Sequence, residues 1–99
     1  MSSERVGPVL HAGPRAEAVV LAIRDANPGV EVIDRGTYVR ILVPNHCRVT
    51  RSAIEAHAGG TFELPSDLER IMASFQGRLT IDEHCAVWSA GVLAGAEGR

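Results

Sequence analysis

Apolar and polar positions recur with two different periods along the chain, and each change of period marks an element. Val6-Gly-Pro-Val-Leu-His-Ala12 is an extended, mostly apolar run. Pro8 has no N–H to give to a ladder, so this run is expected at a sheet edge or a strand start. Gly13-Pro14 then breaks the strand and opens a helix, Pro14 suiting its first position. Ala16, Val19, Val20 and Ile23 follow at i, i+3, i+4 and i+7, one apolar helical face. Asn27-Pro28-Gly29 stops that helix, since Pro28 cannot continue it.

The period next shortens to two. Val30 to Asp34 reads as a short strand, and Asp34-Arg-Gly-Thr37 as a turn. From Tyr38 to Val43 the faces separate: Val39, Ile41 and Val43 face the core, and Tyr38, Arg40 and Leu42 face away. Pro44-Asn45 turns the chain into a strand at Cys47-Arg-Val49. Ser52 with Glu55, and Ser66 with Glu69, fit the capping box of a helix start. The second of these helices is expected to run to Gly77, with Leu68, Ile71, Met72 and Phe75 as its core stripe. Leu79–Ile81 and Cys85–Trp88 read as a closing hairpin.

The predicted order is β-α-β-β-β-α-α-β-β. It indicates an α+β fold: one compact domain of mostly antiparallel strands and about three helices. Residues 1–5 are expected to form a flexible arm, 6–89 the domain, and 90–99 an Ala- and Gly-rich disordered tail. At 99 residues there is room for one core only.

Composition narrows the chemistry. All ten cations are Arg and none is Lys, which removes Schiff-base chemistry and the P-loop lysine. A formal charge of −2 gives no general attraction to nucleic acid or anionic membrane. The polar N-terminus shows no signal peptide, and no apolar run reaches the length of a membrane span. A cytoplasmic location is therefore expected, with Cys47 and Cys85 as reduced thiols in or near the core, or joined in a bridge. The pairs His46-Cys47 and His84-Cys85 invite a metal reading, but neighbouring strand residues point to opposite faces and zinc-ligand spacing is absent. Glu-x-x-His pairs and Gly-x-Ser-x-Gly are also absent. The residues alone point to a domain that acts by binding another protein. A small metal or redox module using Cys47, Cys85 and the histidines is the alternative.

Several segments together resemble one family. They are Val6-Gly-Pro-Val-Leu-His-Ala-Gly13, Asn27-Pro-Gly29, Asp34-Arg-Gly-Thr-Tyr-Val-Arg-Ile41, Val49-Thr-Arg51, Phe62-Glu-Leu-Pro65 and Leu68-Glu-Arg-Ile-Met-Ala-Ser-Phe-Gln-Gly-Arg78. In order and spacing they resemble the effector, or coupling and regulatory, proteins of soluble di-iron multicomponent monooxygenases, in the toluene, phenol and alkene monooxygenase branch. The resemblance implies a non-catalytic protein with no metal or organic cofactor. It implies docking on the α-subunit of the di-iron hydroxylase, with effects on substrate access, oxygen activation and coupling, and a functional link to ferredoxin and reductase. By the same resemblance Ile71, Ala73, Ser74, Phe75, Gln76, Gly77 and Arg78 are the hydroxylase-contact segment. Arg35, Tyr38 and Arg40 are each open to two roles, solvated surface or partner contact.

Overall fold

The computed structural model describes residues 4–90. Ten elements follow in order: β1 (Arg5–His11), α1 (Pro14–Ala26), β2 (Glu31–Asp34), β3 (Tyr38–Pro44), β4 (His46–Thr50), α2 (Arg51–Ala58), α3 (Ser66–Ile71), β5 (Met72–Gln76), β6 (Arg78–Ile81) and β7 (Cys85–Ser89). The fold is α+β. A four-stranded antiparallel sheet has the order β2-β3-β1-β5, and a three-stranded one the order β4-β7-β6.

Two single residues carry the chain from one sheet to the other. Asn45 (φ 65°) joins β3 to β4, and Gly77 (φ 100°) joins β5 to β6. The Asn45 corner is tied on both sides: the Ala90 N–H donates to the Asn45 carbonyl at 2.9 Å, and the Asn45 N–H to the Glu4 carbonyl at 2.7 Å. At Gly77 a Cβ would stand 2.7 Å from both the Ser89 carbonyl oxygen and Val6 Cγ1. Only glycine combines that φ with so close an approach.

The core lies between the sheets and the helices. Val6, Leu10, Val19, Ile23, Ile41, Val43, Val49, Ile54, Phe62, Leu68 and Trp88 are its fully buried large side chains. Helix α1 begins as its sequence suggests, with Pro14 at the first position. It packs on α2 and β4. Asn27 pins its end: its side chain donates to the Ile23 and Arg48 carbonyls, each at 2.8 Å, and accepts the Arg48 N–H at 3.0 Å. The Trp88 indole N–H is buried and finds no acceptor among the described residues.

Four expectations are corrected. The third helix stops at Ile71, and residues 72–76 form strand β5 against β1. The free edge of β1 offers backbone partners to that segment, which outweighs a weak local helical pattern. Phe75 consequently leaves the core and is 44% exposed, while Met72 is half-buried opposite Leu10. Neither capping box forms. Thr50 caps α2 instead, its Oγ1 accepting the Ala53 N–H at 3.2 Å. Helix α3 is preceded by Pro65 with no side-chain cap. Finally, Pro8 sits in a central strand. The ladder from β1 to β3 lapses at Gly7 and Pro8, so the missing N–H costs no pairing there.

Of the expected arm, residues 1–3 lie outside the described residues, and Arg5 already pairs with Pro44. Of the expected tail, 91–99 lie outside them, and Ala90 is buried. Among the described residues no helix is long and apolar enough to cross a membrane.

Candidate docking surface

The contact segment suggested by the sequence is gathered on one edge. Ile71 ends α3 half-buried; Ala73, Ser74, Phe75 and Gln76 run exposed along β5; Gly77 makes the corner; Arg78 opens β6, exposed. Among the described residues β5 is an edge strand, with no charged residue in Met-Ala-Ser-Phe-Gln. Such an edge presents unpaired backbone groups and small side chains, which let another chain approach closely. Register with β1 divides the segment. Ser74 lies beside Val9, and Gln76 beside Gly7, on the side of the sheet away from the core. Phe75 lies beside Pro8 and is exposed despite its place on the core side by alternation.

Across the rest of the sheet the same outward side carries Val9, Ile33, Tyr38, Arg40 and Leu42. A cleft of about 360 Å³ opens there, lined by Val9, Ile33, Arg35, Tyr38 and Arg40. The Tyr38 ring lies 5.1 Å from that of His11. A smaller cleft of about 230 Å³ lies where the first turns of α1 meet Val32 and Val39, with Glu17 and Asp34 at its walls.

The groups considered for chemistry are placed differently. Cys47 faces Trp88 across the β4–β7 ladder, whereas Cys85 faces Thr50. Three residues of offset put the cysteines roughly 10 Å apart along the strands and on opposite faces. Both are free thiols. Burial pushes the Cys47 thiol up to about 12, which keeps it protonated and unreactive as a nucleophile at neutral pH. Among the described residues, no group of three or more His, Cys, Asp or Glu is placed to hold a metal ion. His57 is used structurally, its Nε2 standing 2.7 Å from Asp25 Oδ2 and so tying α2 to α1.

Carboxylates shape the loops beside these elements. Glu55 accepts the Phe62 N–H at 2.9 Å and the Arg51 Nε–H at 3.0 Å, and both hold its carboxyl below the usual range. Asp67 accepts the Glu63 N–H at 2.7 Å, and Asp82 those of Cys85 and His84. Their carboxyls are lowered for the same reason, since an N–H favours the charged acceptor.

Comparison with known proteins places this geometry. Residues 4–89 match the MmoB/DmpM family. The chain belongs to that family. One relative is the effector subunit of the alkene monooxygenase system of Xanthobacter autotrophicus (strain ATCC BAA-1158 / Py2), 43% identical over 90 residues. The match spans 89% of this chain and 88% of the relative. Among solved structures, a chain from a phenol hydroxylase–regulatory protein complex superposes with a TM-score of 0.75 at 15% identity, covering 86% of this chain and 95% of that one. This second likeness is one of fold, held at an identity where most side chains differ.

The open face of the sheet is what sequence reasoning missed. The alternation of Tyr38, Arg40 and Leu42 signals an outward side of β3. Which residues of β1, β2 and β5 stand beside them depends on register, which the pattern does not carry.

Proposed function

We propose that this chain is the effector component of a di-iron multicomponent monooxygenase of the alkene, toluene or phenol type. It binds the α-subunit of the hydroxylase component, shifts it toward its competent state, and so tunes substrate access, oxygen activation and coupling. The observation that carries this reading is the 43% identity, over nearly the full length of both chains, to an alkene monooxygenase effector subunit. Thermodynamically, the effector must bind the competent hydroxylase more tightly than the resting one, because a ligand with equal affinity for both shifts nothing.

The reading gives the chain no catalytic residue and no cofactor of its own. The electrons come from reductase and ferredoxin, and the oxygen chemistry occurs on the hydroxylase's iron. Residues 6–89 make up the effector domain, which acts in the cytoplasm. Contact with the hydroxylase is made by Ile71, Ala73, Ser74, Phe75, Gln76, Gly77 and Arg78. The uncharged β5 edge supports that assignment, since it brings backbone within reach of a partner.

Reconstituting hydroxylase, ferredoxin and reductase with and without this chain tests the reading. Adding the chain should raise the oxidation rate of an alkene or toluene, and the fraction of electrons recovered in product. Ala73→Trp and Ser74→Trp should weaken hydroxylase binding at least tenfold while leaving thermal unfolding unchanged. A chain that alters neither rate, coupling nor product distribution overturns the proposal.

A further inference from the structure

The two sides of the four-stranded sheet have opposite fates. Val6, Leu10, Ile41 and Val43 point inward and are fully buried. The alternate residues point outward, and the register aligns four of them. Ser74 stands beside Val9, Val9 beside Arg40, and Arg40 beside Ile33. A single row thus crosses all four strands, β5-β1-β3-β2, on the outward side. Val9 and Ile33 are apolar and only half-buried. Tyr38, 42% exposed, stands next to them.

Charge on this face is one-sided. Arg35 and Arg40 line the cleft with Val9 and Ile33. Arg5, Arg15 and Arg51 all pair with carboxylates, but among the described residues Arg35 and Arg40 pair with none. The carboxylate on the same outward side, Glu31, is already engaged by Arg5. What remains is an apolar centre with an aromatic at its side and two unneutralised guanidiniums, on a chain whose net charge is −2.

We infer that this row is the body of the docking footprint, and that the hydroxylase surface it meets is apolar at its centre and presents carboxylates to Arg35 and Arg40. The inference rests on the effector reading above. It extends that reading from the β5 edge, where Ser74 ends the row, across the whole sheet. The occupant follows from charge complementarity. A second copy of this chain would bring the same two guanidiniums face to face, and like charges across an interface oppose association. A carboxylate surface gains instead, because each planar guanidinium can hold a carboxylate through two parallel N–H bonds. Closing the apolar row over those pairs excludes water, the arrangement found around interface residues that dominate affinity.

The test titrates purified hydroxylase with the whole chain over a series of salt concentrations. The double variant Arg35→Glu/Arg40→Glu should bind at least tenfold more weakly, with a flatter dependence of affinity on salt. Both positions are exposed, so unfolding curves should match the parent. Arg24→Glu, on the exposed side of α1, should bind within twofold of the parent. Arg35→Lys/Arg40→Lys should fall between, since it keeps the charge and loses the fork. In the parent complex, saturation of the hydroxylase should transfer to the methyl groups of Val9 and Ile33. A double reversal that binds within twofold, with an unchanged salt slope, overturns the footprint while parent binding leaves the effector reading standing. Silent Val9 and Ile33 methyls in the complex do the same. Concentration-dependent methyl shifts in the free chain would overturn it in favour of self-association. A parent that does not bind hydroxylase overturns both readings.

Discussion

At the scale of the residue, the corners decide most. Gly77 sits at φ 100° with Val6 and the Ser89 carbonyl closing the space where a side chain would begin. Gly77→Ala is therefore expected to destabilise the fold by on the order of 1–3 kcal/mol from backbone strain alone, with the clash adding to it. Urea unfolding of the variant measures this, and a midpoint equal to the parent's would refute it. In the sequence, Gly77 reads as a helix stop. Its work as a corner between two sheets depends on Val6 and Ser89, more than 10 positions away on either side, and nothing local signals either neighbour. Glu55 shows the same displacement of role. Its spacing from Ser52 suggests a helix cap, but the carboxylate turns to the Phe62 N–H and to Arg51. It thereby holds the loop that delivers Phe62 to the core.

At the scale of the element, the segment from Ser66 to Gln76 separates local from tertiary preference. Leu68, Ile71, Met72 and Phe75 match a helical stripe, but short apolar runs fit either period. The outcome is one and a half turns of helix followed by an edge strand, because β1 has a free side to be paired. Two phenylalanines test the difference. A helix continuing to Gly77 would make Phe75 a core residue; as part of β5 it is 44% exposed, whereas Phe62 is fully buried. Phe62→Ala should cost about 3–5 kcal/mol, and Phe75→Ala less than about 1 kcal/mol. Equal losses in denaturant unfolding would contradict the strand. The elements with unambiguous periods were legible. The apolar face of α1 and the inward side of β3 are buried or half-buried as their spacing requires.

At the scale of the whole molecule, three lowered carboxylates make stability depend on acid. Glu55, Asp67 and Asp82 each accept backbone N–H groups that stabilise the charged form in the folded state only. A folded value below the unfolded one means that the unfolded chain binds protons first. Stability is then complete above the ordinary values of 4.5 for Glu and 3.8 for Asp, and is lost as pH falls through them toward the folded values. The melting temperature should hold between neutral pH and about 5, then drop steadily on further acidification. Asp82→Asn keeps an oxygen acceptor for the turn and removes the charge, so its acid drop should be shallower. An identical profile in the variant would exclude Asp82 from the effect.

The α+β class, the order of nearly all elements, the inward side of β3 and the family resemblance are all legible in the chain's local pattern. Those properties are written in local periodicity and in the identity of short segments, which need no distant neighbour. Where α3 gives way to β5, which residues cap the helices, and which outward side chains share a row are set by long-range packing. Each of these depends on pairing between strands far apart in the chain, and a register shift of one residue would turn every side chain to the other face. The row from Ser74 through Val9 and Arg40 to Ile33 exists only because four separated strands align there.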